Sequence, residues 1–506
     1  MKFTILDYLE ETAERFPDKL AFADVSASIT WSALVEKAKE RAAVLSRYFE
    51  PGQAVPVMIE KSVKTLEYFF GALYAGCFYS YFDATFPDSR LNSMIETLGV
   101  RRIVADSRFE KKFSALNAEP LFFGKLEDEN TPPRCYDDAR RRSIIDTDAA
   151  YANFTSGSTG TPKAVAVSHR SVIDFISCFT EIFGIRAEDN IANQAPFDFD
   201  VSVKDIFSGV FTGASVHLVP KMFFSFPTKL LDYLEEREIT VLIWAVSALC
   251  IVSTLNGFDY KVPAKLRMVM FSGEVMPVKQ LAVWKRFVPA AEYINLYGPT
   301  EITCNCTYFR IPKDADIEGY ARGIPMGIPF PNERILLLDE SDRPVTKPGV
   351  EGEVCVSGTC VALGYYNSER TAEVFVQNPL NKAFFERIYR TGDLAVLGED
   401  GNYYYIGRKD TQIKHMGHRI ELGEIENAIA RHDGISRACC VFADNRITAF
   451  YAGEERDKKD IVTLLKVSLP AYMVPSDFIR LAEFPLTKNG KIDRRALLEK
   501  LNGCKD

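Results

Sequence analysis

Apolar and polar positions follow two periods through the first four hundred residues. In Leu34–Leu45 (LVEKAKERAAVL) apolar residues recur every three to four positions, which predicts an amphipathic helix. Ala54–Ile59 (AVPVMI) and Arg101–Ala105 (RRIVA) are short apolar runs of the kind that form buried strands. Lys265–Gly273 (KLRMVMFSG) reads as a strand ending in a glycine turn. Between Glu238 and Asp259 nothing is charged, a stretch long enough to consider for a membrane span. Its first half is β-branched, and Thr, Ser, Asn and Gly interrupt it, so a buried strand leading into a buried helix is predicted. Such alternation predicts an α/β architecture: a large N-terminal domain, residues 1–409, of β-sheets flanked by helices.

The pattern changes near residue 400. Gly398-Glu-Asp-Gly-Asn reads as a hairpin turn between Leu394-Ala-Val-Leu and Tyr403-Tyr-Tyr-Ile. Beyond it, short strands alternate with helices such as Leu422–Ile429, apolar at 422, 425 and 429. Residues 410–506 have the size of a small α+β domain, and the boundary is placed at Asp410.

Composition narrows the possibilities. The 506 residues carry 61 Lys+Arg and 69 Asp+Glu, a net charge of 61 − 69 = −8, with 47% hydrophobic and 12% aromatic residues. That excludes a disordered chain. With a pI near 5.5 and no basic tail, nucleic acid is not an expected partner. The eleven cysteines include no C-x-x-C pair, and there are only five histidines, so buried thiols in a reducing compartment are expected rather than a disulfide frame or zinc site. The N-terminus (MKFTILDYLEE) has acid where a signal peptide needs an apolar core. A cytoplasmic protein without a membrane span is the expectation.

The sharpest local chemistry is in Tyr151–Ala164 (YANFTSGSTGTPKA). An apolar strand leads into Thr155, Ser156, Gly157, Ser158, Thr159 and Gly160 and then Lys163. Glycines let backbone N–H groups approach an anion, hydroxyls donate hydrogen bonds and the lysine adds charge, so this reads as a phosphate cradle. It is not a Walker A loop, because G-K-[ST] is missing.

From this loop onward the sequence resembles the adenylate-forming superfamily: acyl-CoA synthetases, luciferases and the adenylation domains of nonribosomal peptide synthetases. Asn295-Leu-Tyr-Gly-Pro-Thr-Glu301, Tyr389-Arg-Thr-Gly-Asp393 and Gly407-Arg-Lys-Asp410 carry the likeness in order. Leu469-Pro-Ala-Tyr-Met-Val-Pro and Pro485-Leu-Thr-Lys-Asn-Gly-Lys491 are similar to the peptide-synthetase branch in particular, including stand-alone adenylation domains and D-alanine–carrier-protein ligases. The resemblance implies ATP and Mg²⁺, with Glu301 as metal ligand and Thr300 at the phosphates. Tyr297, with Asn295, Leu296 and Gly298, would hold adenine, beside Gly273 and Glu274. Asp393 would accept the ribose hydroxyls, with Tyr405 and Arg408 close by. Lys491, in a mobile small domain hinged at Asp410, would bridge the substrate carboxylate and the α-phosphate.

The resemblance also implies a small amino acid as substrate. Asp200, locally a plain helix N-cap, matches the carboxylate that pairs with the substrate ammonium. The matching pocket positions are Asp200, Val201, Lys204, Ile243, Met270, Ser272, Leu296, Cys304, Asn305 and Lys491. Five of these (Asp200, Val201, Ser272, Leu296, Lys491) coincide with the pattern of serine activators, whereas Lys204 and Ile243 depart from it. Serine is the first choice, alanine of either hand the second. No L-G-G-x-S carrier segment or H-H-x-x-x-D-G motif occurs, so the acceptor is expected to be the phosphopantetheine of a separate carrier protein, with free CoA behind it. His415-Met416 stands where Ile-Arg is usual, and His415-Met-Gly-His418 imitates the HIGH box of class I tRNA synthetases without its context.

Overall fold

The computed structural model describes residues 2–128, 136–156, 161–320, 323–486 and 492–503. Two large sheets form the N-terminal region. The first runs, edge to edge, Ile328–Pro329, Thr307–Ile311, Glu292–Tyr297, Met268–Ser272, Val241–Ala245, Asn190–Asn193, Ser215–Leu218, Leu20–Ala23 and Ser28–Thr30. Its centre, from Glu292–Tyr297 to Leu20–Ala23, is parallel. The second runs Gly364–Tyr365, Lys163–Ser168, Ala149–Thr155, Phe78–Tyr81, Ala54–Met58, Arg102–Ala105 and Glu119–Phe122. Buried parallel strands need both faces covered, which explains their continuous apolar runs.

The helices between the sheets show the same logic. In Val63–Tyr74 every residue except Lys64 is buried, the signature of a helix apolar all round. Gly71 lets it approach the helix Trp31–Leu45: a Cβ there would lie 2.6 Å from Arg41 Cβ. The charged contact at this interface, Arg41 Nη2 to Glu67 at 2.9 Å, is a paired one, as burial requires. One core cluster links the two sheets through these helices, from Val55 and Tyr79 to Ile243, Met270 and Ile294.

The predicted strand and helix after Glu238 are Val241–Ala245 and Val246–Thr254, both largely buried. No described helix is long and apolar enough to cross a membrane. A third, antiparallel sheet contains the predicted hairpin, Arg387–Leu397 paired with Tyr403–Arg408. After it come the hairpin Gln412–His415/His418–Glu421 and a sheet of Ile435–Ala443, Arg446–Gly453 and Asp477–Arg480 with helices Leu422–Ala430, Lys458–Ser468 and Arg494–Gly503. Of the nine described cysteines seven are buried, and all nine are free.

His169 ties the N-terminal helix Ile5–Arg15 to the second sheet. It is fully buried, and its Nδ1 accepts the Ile5 N–H at 3.3 Å, so the ring must be neutral. Burial pushes its pKa from the ordinary 6.5 down to about 4. The folded state therefore binds fewer protons than the unfolded one in this window, and the stabilisation is lost as pH falls from 6.5 through about 4. The stability difference between wild type and His169→Gln should shift against wild type by up to about 3 kcal/mol across that window, measured by chemical denaturation at each pH.

Candidate active site

The carboxyl ends of the parallel strands of the first sheet open into a cleft, the general ligand position in such sheets. Strand Met268–Ser272 delivers Ser272 to its wall, and Gly273 turns the chain away at φ 95°. Strand Glu292–Tyr297 leads to Gly298, where a Cβ would lie 2.5 Å from Asn305 Cα. That close approach folds the loop back on itself and carries Thr300, Cys304 and Asn305 into the cleft lining. Thr303 and Cys304 take positive φ, 56° and 78°, a strained choice that concentrates at ligand sites.

The predicted substrate positions divide into two groups. Asp200, Val201, Ser272, Cys304 and Asn305 line the cleft. Asp200 starts helix Val201–Thr212 but makes no side-chain capping bond. Burial raises its pKa, while Thr300 and Lys204 counter the shift. Ile243, Met270 and Leu296 belong to the core behind the cleft, with Ile243 and Met270 facing across neighbouring strands. Lys204 is fully buried behind the lining; its Nζ donates to Asn305 Oδ1 at 2.7 Å and Ser272 Oγ at 3.2 Å.

The predicted nucleotide positions surround the same cleft. Asp393 and Arg408 line it and pair at 2.7 Å, and Tyr297 donates its hydroxyl to Asp393 at 2.5 Å. Asn295 donates to Pro325 O at 2.7 Å, and Tyr405 is partly exposed; neither lines the cleft. Thr155 and Ser156 line an adjoining cavity that shares Phe199, Asp200, Thr300 and Arg419 with the first. The Thr155 hydroxyl is buried without a partner among the described residues. Lys163 lies opposite Thr155 across the strand pair, with Nζ 4.9 Å from the Tyr365 ring centre. Gly157, Ser158, Thr159, Gly160 and Lys491 fall outside the described residues.

The sequence reading missed the hairpin after Asp410, which closes the cleft. Gln412, Lys414, Gly417 and Arg419 all line it. Met416 and Gly417 both have positive φ, 53° and 82°, in a two-residue turn that sets His415 opposite His418, the geometry such hairpins favour. That strand turn is also why the HIGH-like string has no helical context. Gly417 N–H donates to Glu274 at 2.8 Å, and Lys414 Nζ sits 5.4 Å from the Tyr297 ring centre. His418 stacks on Tyr472 at 3.7 Å, and Met416, in the place of the usual Arg, is exposed. Arg419 reaches furthest: its Nη1 donates to both Glu301 oxygens, at 2.8 and 2.7 Å. A second domain-crossing pair, Arg90 with Glu424 at 2.8 Å, is almost fully buried. The sequence signal was available in Gly417 and in an Arg on a strand otherwise facing a core.

The profile of the AMP-binding enzyme family matches residues 9–366, and that of the AMP-binding enzyme C-terminal domain matches residues 424–491. The chain belongs to the AMP-binding enzyme family. Members are adenylate-forming ligases that use ATP. One component of the mycosubtilin synthase of Bacillus subtilis is 35% identical over 98% of this chain, which spans only 19% of that relative. Zwittermicin A synthase ZmaJ of Bacillus cereus is 32% identical, with 98% of this chain and 95% of the relative covered. Among solved structures, holo-PA1221, an NRPS protein containing adenylation and PCP domains, superposes with a TM-score of 0.84 at 25% identity, covering 98% of this chain and 84% of that one.

In this AMP-binding enzyme Glu301 has no exposed surface, and burial by itself would raise its pKa; Arg419 and Lys163 instead hold the carboxyl below the ordinary range. Tyr365 donates its hydroxyl to the same group at 2.7 Å. Arg419→Met would leave Glu301 short of a cation in the docked arrangement, a loss of about 3–5 kcal/mol for a buried pair. The small domain should then undock, giving a larger radius of gyration by solution scattering, and Glu301→Gln in the same chain should restore part of the compact form. An unchanged profile for Arg419→Met would show that the ion pair does not hold the domains together.

Proposed function

We propose that this AMP-binding enzyme activates an amino acid as its aminoacyl-adenylate and then transfers it to the thiol of a phosphopantetheinyl carrier protein. The observation that carries this reading is Asp200. It is buried, lines the cleft, and has no Lys, Arg or His nitrogen within 4 Å among the described residues. Thr300 gives it a hydrogen bond but no charge, a buried carboxylate without a cation is expensive, and a substrate ammonium supplies one. Fatty or aryl acids have none to offer. The peptide-synthase relatives and the adenylation–PCP structure support the same assignment and favour a carrier over free CoA.

In the first half-reaction a substrate carboxylate oxygen attacks the α-phosphorus of ATP, the bond to the bridging oxygen breaks, and pyrophosphate leaves. Asp200 holds the ammonium, Asp393 the ribose hydroxyls, and the Thr155–Lys163 loop the phosphates, with Thr300 and Arg408 beside them. Such catalysis is mostly positioning and charge stabilisation. Glu301 suits Mg²⁺, which takes one or two carboxylates beside substrate phosphates, once Arg419 has withdrawn. When bound, Mg²⁺ would neutralise phosphate charge. With Arg419 seated, the arrangement serves the second half-reaction, in which the thiol attacks the acyl carbon, loses its proton and AMP leaves. Rotation about Asp410 would remove Arg419 and bring in Lys491. Ile492, next to it in the chain, packs in a small-domain cluster with Leu481 and Leu497, none of which lines the cleft.

Serine is the reading of five matching pocket positions, and alanine that of the likeness to D-alanine–carrier-protein ligases. The departure at Lys204 carries more chemical weight, since it introduces a buried cation.

ATP–pyrophosphate exchange with both enantiomers of the common amino acids tests the reaction class. Asp200→Ala should depress exchange with every amino acid; robust turnover of an acid lacking an amino group, indifferent to Asp200→Ala, would overturn the reading. Lys491→Ala should lose about 2.7–4 kcal/mol of barrier lowering in exchange, yet still transfer a supplied aminoacyl-AMP to carrier. Asp410→Pro fixes φ at the expected pivot and should impair one half-reaction far more than the other; equal loss of both with a normal melt would place the hinge elsewhere.

A further inference from the structure

Lys204 makes no ion pair within 4 Å among the described residues, although Asp200 and Asp205 lie near enough to favour its charged form. Its helix neighbour Asp205 turns to Asn193, whose Nδ2 donates to it at 2.6 Å. Burial holds the nearby Cys304 thiol in its neutral form, and that thiol points at Asp200 O, 3.0 Å away. The cation instead rests on two neutral groups that line the cleft, Ser272 Oγ and Asn305 Oδ1.

Those two bonds fix the polarity of the pocket. An ammonium donates only, so Asn305 must give it the amide oxygen and keep Nδ2–H₂ as its remaining polar group. No acceptor meets that Nδ2 among the described residues. Ser272 likewise accepts from Lys204 and retains its own proton to donate. The floor thus offers donors backed by a positive charge, while Asp200, which lines the same cleft, has no cation within 4 Å among the described residues. A hydroxyl would use one of these donors and bring no charge of its own to meet Lys204; an apolar side chain would use none.

We propose that Lys204 makes this a pocket for an amino acid whose side chain ends in a carboxylate, held by Ser272 and Asn305 with Lys204 behind them. The inference rests on the amino-acid adenylation reading and moves the substrate away from serine and alanine. Burial lowers the Lys204 pKa from its ordinary 10.5, and an arriving carboxylate favours the charged form. Lys204 acts through the two lining residues, so it is a positioning and specificity residue rather than a catalytic one.

The test is pyrophosphate exchange with aspartate, glutamate, asparagine, glutamine, serine and alanine in both hands. An acidic amino acid should exceed its own amide by about 10²-fold or more in kcat/KM, the scale on which losing one partner of a buried ion pair is felt. Lys204→Met should collapse that acid-to-amide ratio, whereas a lysine serving only to brace Ser272 and Asn305 would lower every substrate alike. Asn305→Asp, which gives Lys204 a carboxylate of its own, should also abolish the acid preference and covers the case in which Lys204→Met fails to fold. Preference for serine, alanine or an amide in the wild type would overturn the inference and leave amino-acid adenylation standing. No exchange with any amino acid, alongside activity on an acid lacking nitrogen, would overturn both.

Discussion

Glu301 sits where no water reaches it, and a carboxylate in that position has to be met by positive charge. In this arrangement the charge comes from Arg419, two strands beyond the large domain, with Tyr365 completing the set. The small domain makes further contacts in the same arrangement. Gly417 reaches Glu274, His418 stacks between the Phe199 side of the cleft and Tyr472, and Arg90 closes on Glu424 because the hairpin carrying Arg419 has been drawn in.

The same rule of charge shapes the substrate half of the cleft. Among the described residues Asp200 is a buried carboxylate with no cation within 4 Å, and Lys204, one helical turn further on, is a buried amine with no carboxylate within 4 Å, although each favours the other's charged form. They are kept apart by orientation: Lys204 is held by Ser272 and Asn305, and Cys304 bonds the Asp200 backbone rather than its carboxylate. The rigidity needed for this comes from the parallel sheet, whose strand ends and strained Thr303–Cys304 turn hold the lining in register.

Much of this was legible in the chain. The apolar runs at Ala54–Met58, Val241–Ala245 and Met268–Ser272 are strands, and the hairpin around Gly398–Asn402 is where its turn residues put it, because local period and turn chemistry act over a few residues. Motif spacing likewise pointed to Asp200, Glu301, Asp393 and Arg408, which the fold gathers around one cleft from positions up to two hundred residues apart. The N-cap reading of Asp200 is the kind of local inference that tertiary packing overrides, since its carboxylate makes no capping bond.

The sequence by itself determined the elements and the layered α/β class, since these depend on periodicity and turn chemistry, and its resemblance to a family named the candidate site residues. Only the tertiary structure decided which of them meet. It set Ile243, Met270 and Leu296 into the core and Ser272 and Asn305 onto the lining, joined Lys204 to that pair, and placed Arg419 on Glu301. Burial and charge pairing between distant segments depend on which surfaces come into contact, and no local pattern along a chain encodes the distance between two side chains a hundred residues apart.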